Sequence, residues 1–172
     1  MRQLIIPAIA HGMRQIDMRP RHYTFRDAGD GGVVIFERDA SAASAIKTVM
    51  PAMTDFIHYR RPPELSDPLR LRFALHRGSV VPDQWGWTGD ALWQTFRMLQ
   101  SEELSEYHRR GSKMASLAIT QAVQNELTVH APTVSQEEML VLDPMAVRKK
   151  ALILGGDFPV IIPADFLNER AA

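Results

Sequence analysis

The sequence predicts a single α+β domain, and three observations carry that prediction. Leu69, Leu71, Phe73 and Leu75 alternate with Arg70, Arg72, Ala74 and His76, the period of a strand with one buried face. Elsewhere apolar residues recur at helical spacing, first at Ile5, Ile9, Met13 and Ile16. The chain of 172 residues is long enough to bury one sizeable core and too short for two comfortable ones. Its 45% apolar and 23% charged residues are ordinary globular usage, which argues against disorder.

The opening apolar spacing predicts an amphipathic helix, with Pro7 tolerable only in its first turn and Pro20 ending it. His22 to Arg26 reads as a strand, Asp27-Ala28-Gly29-Asp30-Gly31-Gly32 as a tight turn, and Val33 to Phe36 as a buried second strand. Ser41 is suited to cap a helix whose apolar face is Ala42, Ala45, Ile46, Val49, Met53 and Phe56, and Pro51 should bend or divide that helix. Tyr59 to Pro68 reads as a surface connection. After the alternating strand, Arg77-Gly78 turns into Val80-Val81, and Gly86 to Gly89 reads as a loop. Leu92, Phe96 and Leu99 then predict a helix from Asp90, with Leu104 on its continuation. Leu117 to Ile119 is a short apolar segment, and Thr120 can cap a helix to about Val129. Met139 to Leu142 and Phe158 to Ile162 are the last strand candidates.

Twenty basic and twenty acidic residues leave no net charge, so binding to nucleic acid or anionic lipid would need a local patch. The absence of cysteine excludes disulfides and thiolate zinc sites and is compatible with a reducing compartment. No apolar stretch approaches the ~20 residues of a membrane span. The first ten residues lack the long apolar core of a secretory signal and are read as part of the fold. A soluble, cytoplasmic protein is expected, without internal repeats or a second domain.

A carboxylate on the Gly29-Asp30 turn could hold Mg²⁺ beside a triphosphate, although one carboxylate is a poor metal site and a plain Asp-Gly hairpin turn is the commoner arrangement. Its context adds meaning. Strand, turn and strand at Arg26 to Phe36 are followed by a helix, then by Leu75-His76-Arg77-Gly78 opening a hairpin, then by the helix start Gly89-Asp90-Ala91-Leu92-Trp93-Gln94-Thr95-Phe96-Arg97. In this order the segments resemble the class III nucleotidyl cyclase homology domain, and most closely the divergent cyclase-like domains of actinobacterial proteins. The resemblance spans residues 1–163, leaving 164–172 as a tail. It implies a ferredoxin-like palm, a mixed and mainly antiparallel sheet with packed helices.

Carried over residue by residue, the resemblance implies a reduced site. Asp30 matches the second of two metal-binding aspartates; the first belongs to a strand before the opening helix, which this chain lacks, so either half the metal site is gone or the true start lies upstream. Arg26 stands where many adenylate cyclases place a base-selecting lysine, and Gly86 where the partner aspartate is expected. Trp93 replaces the asparagine that acts on the transition state, a compact amide exchanged for a ring with one donor. Arg97 matches the helix arginine and could contact phosphate, with a solvated or paired helix arginine as the alternative. Lys149 or Lys150 corresponds loosely to a late lysine, with a basic surface pair as the simpler reading. No residue is assigned as catalytic.

Three further features read as decoys. Gly155-Gly156-Asp157-Phe158 suggests a diguanylate cyclase signature, but only 14 residues follow it, so it is read as a turn. Six dispersed histidines show no ligand spacing on a predicted helix. Trp85, Trp87 and Trp93 are expected to pack in the core or at a dimer interface, and His108-Arg109-Arg110 with Lys113 to be a solvated helix end. The expectation is a non-catalytic cyclase-like module for association or regulation, with a nucleotide in a remnant cleft. Its alternative is a cyclase active only with a complementing subunit or an upstream segment. The implied partner is a cyclase-like protomer, as homodimer or heterodimer. No cofactor is required, and Mg or Mn would accompany a bound nucleotide.

Overall fold

The computed structural model of the protein describes residues 2–27, 31–36, 40–63, 69–84, 86–134, 139–146 and the backbone of 158–164. The first apolar spacing forms helix α1 (Arg2–Arg14), with Ile5, Ile9 and Met13 buried. Pro7 sits in its second turn rather than its first, so the helix carries a missing amide within it. It stops before Pro20 is reached: Asp17 adopts a φ of 56° and the Met18 amide returns to the Met13 carbonyl at 3.0 Å. A left-handed residue closing the last turn in this way satisfies carbonyls that the helix leaves open.

A turn of 3₁₀ helix at Pro20–His22 leads into β1 (Tyr23–Asp27), which pairs antiparallel with β2 (Gly32–Phe36). A β-carbon on Gly32 would fall 2.1 Å from the Phe25 ring, so close approach across the hairpin fixes this glycine. Ser41 caps the next helical run as expected, its hydroxyl accepting the Ser44 amide at 3.0 Å. That run consists of α2 (Ala42–Ser44), a π-helical segment (Ala45–Val49) and α3 (Met50–Arg60). Pro51 has no amide for the carbonyl one turn back and its ring crowds that carbonyl, and the helix responds by widening rather than breaking.

The alternating segment becomes β3 (Leu71–Arg77). The expectation of one buried face is corrected, because Ala74 and His76 are buried as well as Leu71, Phe73 and Leu75. A short antiparallel hairpin follows, β4 (Val81–Asp83) with β5 (Gly86–Thr88), where a loop over Gly86 to Gly89 was expected. Helix α4 (Asp90–Leu99) ends at Gln100, and Leu104 belongs to a separate helix, α5 (Glu102–Arg110), capped by Ser101. The remaining elements are β6 (Ala115–Ile119), α6 (Gln121–His130), β7 (Met139–Val141) and β8 (Phe158–Ala164).

The large sheet runs β1-β2-β8-β3-β6-β7. The prediction of a mixture of helices and strands stands, but that of a mainly antiparallel sheet is corrected: only β1 and β2 are antiparallel, and every other neighbouring pair is parallel. Chain connectivity supplies the reason. From β2 to β3, β3 to β6 and β6 to β7 the chain crosses through helices, and a helical crossover returns it to the same end of the sheet.

Two apolar clusters cover the two faces. Residues of α1, α2, the π segment, α3 and α6 pack with Val34, Phe36, Phe73 and Ile119. Residues of α4 and α5 pack on the other face with Val33, Ile35, Ala74 and Ala118. Successive residues of β2 are divided between these clusters, as the alternation of side chains along a strand requires.

Candidate functional site

Among the described residues, Gly78 of the motif run packs against the start of α4, and Gly86 stands beside Arg26. Arg26 lies near the end of β1 with its side chain exposed. Gly86 opens β5, and a β-carbon built on it would stand 3.6 Å from the Arg26 guanidinium carbon. The two positions that the resemblance aligns with a base-selecting lysine and aspartate are thus neighbours, with a guanidinium on one side and no side chain on the other. Gly86 has a φ of 141°, a conformation that strains any residue with a β-carbon.

The glycines around α4 serve close packing. A β-carbon on Gly89, whose φ is 137°, would meet the Ser79 carbonyl oxygen at 2.8 Å. One on Gly78 would lie 2.9 Å from the Ala91 β-carbon and 3.0 Å from His76 Nε2. The run Leu75-His76-Arg77-Gly78 and the start of α4 therefore interlock. His76 is 9% exposed, and its Nδ1 lies 3.1 Å from the Thr120 hydroxyl. Burial lowers its pKa from the ordinary 6.5, favouring the neutral ring. Thr120 occupies the N-cap of α6, but its side chain caps no amide and serves His76 instead.

Along α4, Trp93 is 48% exposed and the Arg97 guanidinium carbon stands 4.6 Å from its ring centroid. Arg97 Nη2 also donates to the Met145 carbonyl at 3.3 Å, and Met145 is 64% exposed. Arg97 thus stacks on one large exposed side chain and ties down the backbone of another. Nothing in the sequence marked Met145, which is brought to α4 from 48 residues away. Trp87 is partly buried against the α4 core, in line with the packing expected for it.

Asp30, Lys149, Lys150, Trp85 and the Gly155-Gly156-Asp157 run lie outside the described residues. Among the described residues, no group of three or more His, Asp or Glu side chains could hold a metal ion. His108 leaves the expected basic patch altogether: it is buried and its Nδ1 lies 2.8 Å from the Ser116 hydroxyl. Arg109 and Arg110 are exposed and flank Glu106 on the same helix, as a solvated helix end requires. No helix among the described residues is long and apolar enough to cross a membrane.

No protein-family model, curated protein or solved structure matches the chain.

Proposed function

We propose that this chain is a non-catalytic nucleotidyl-cyclase-like module that acts by associating with a second cyclase-like protomer, with a nucleotide accepted in the remnant cleft beside Arg26. The observation that supports it most is the unit of Trp93, Arg97 and Met145. At the position where the resemblance calls for a small amide, the chain presents an exposed ring braced by a guanidinium. Trp, Met and Arg are the residue types enriched where proteins bind one another. Trp93 has only an indole N–H to donate and cannot stabilise developing phosphoryl charge as an amide would.

The neighbouring Arg26 and Gly86 support the cleft itself. The parallel sheet departs from the palm that the resemblance implies, so the reading rests on the order of hairpin, helix, strand, hairpin and helix and on these side chains. Sedimentation tests it. The wild-type chain is expected to form dimers and Trp93→Ser to shift them to monomers with an unchanged circular dichroism spectrum. A wild-type chain that stays monomeric at its highest soluble concentration, or dimers indifferent to Trp93→Ser, would remove the support for self-association through this surface.

A further inference from the structure

The opposite face of the sheet contains a cavity of about 460 Å³ between the π segment and the starts of β3 and β6. That volume falls in the range of small-molecule sites, roughly 300–1,000 Å³. Phe73, Leu117 and Met139, from three adjacent strands, line it with Ile46 and Met50 from the helical run. Its walls include three methionines, the third being Met114, whose unbranched thioethers adapt to apolar bodies of varied shape.

The polar mouth is built by the same proline that widens the helix. The π segment carries Ile46 and Lys47, both lining the cavity, and the Met50 amide reaches back five residues to the Ala45 carbonyl. Turns of this kind recur at functional sites. Lys47 Nζ donates to the Thr133 hydroxyl at 2.7 Å, so that hydroxyl, acting as acceptor, keeps its own proton to donate. Lys113 also lines the cavity. Asp55 is the carboxylate among the described lining residues, about two helical turns beyond Lys47. The Lys47 ammonium, set beside the Thr133 hydroxyl, is the part of the described lining that offers a charge-assisted hydrogen bond to an anion.

We propose that this cavity binds a small amphiphilic monocarboxylic acid, its acyl or aromatic body among the methionines and its carboxylate on Lys47 and the Thr133 hydroxyl. The site is independent of the cyclase-like reading. Calorimetric titration of the full chain with decanoate, kept below its micelle concentration, tests it beside decanol and decyltrimethylammonium. Saturable one-to-one binding of decanoate is expected, about tenfold tighter than either analogue, the difference a charge-assisted hydrogen bond makes. Lys47→Ala should erase that preference, and Ile46→Trp, at a half-buried wall position, should block all three probes while the fold persists by circular dichroism. Equal affinity for decanol, or a decanoate affinity indifferent to Lys47→Ala, overturns the carboxylate assignment. Binding that survives Ile46→Trp, or no saturable binding, overturns the site.

Discussion

His76 carries the chemistry of a catalytic or metal-binding side chain, yet packing occupies it: one ring nitrogen faces the Thr120 hydroxyl and the other sits against Gly78. Its lowered pKa has a consequence for stability. The unfolded chain takes up a proton on this ring near the ordinary value, about 6.5, before the folded protein does, so the native state loses stability as pH falls below that value. The loss is complete only below the lowered folded pKa. Replacement by Gln keeps a group able to reach Thr120 and removes the titration. Urea unfolding at about pH 7 and about pH 5 should therefore show a larger loss for the wild type than for His76→Gln. Equal losses in the two proteins would mean that the His76 ring titrates alike folded and unfolded. Neither the hydroxyl partner nor the burial is legible locally, because Thr120 lies 44 residues away and its own sequence context marks it as a helix cap.

Among the elements, helix starts were legible where the capping side chain is adjacent in sequence. Ser41 holds the amide of Ser44, and the apolar spacing that follows it became the buried side of the run. The end of α5 was not legible. Arg70, which the alternating pattern placed on an exposed strand face, precedes β3 and reaches across to the end of α5. It donates to the carbonyls of Gly111 at 2.7 Å, of Lys113 at 3.2 Å and of His108. A guanidinium here satisfies carbonyls left open by the helix and complements the negative end of its dipole. Arg70→Ala should cost about 1.5–3 kcal/mol in denaturant unfolding, the range for hydrogen bonds to a charged donor. It should also speed hydrogen exchange at the last turn of α5 while the amides of α1 stay protected. A variant as stable as the wild type would mean that water replaces these contacts without loss.

For the whole molecule, direction was the quantity the sequence withheld. A strand's period reveals which residues face the core but not which strand lies beside it, and β8, from the far end of the chain, stands between β2 and β3. The fold sets Gly86 beside Arg26 and Gly78 against Ala91 at the start of α4, juxtapositions that no local pattern in the sequence specifies. Cyclisation of a nucleoside triphosphate needs paired metal ions and donors for the charge that develops in the transition state. On the proposed reading, Trp93 stands where the family's transition-state amide would act, and Arg26, with Arg97 exchanging its Met145 carbonyl for phosphate, would supply charge for holding a nucleotide rather than transforming it. Calorimetry with ATP and GTP in the presence of Mn²⁺ should therefore detect binding, with Arg97→Ala weakening it about tenfold and no cyclic nucleotide formed. Unchanged affinity in Arg97→Ala would reject that arginine as a phosphate contact. Cyclic product from the wild type that disappears in Asp30→Ala would show that the metal site functions and that the module is an enzyme.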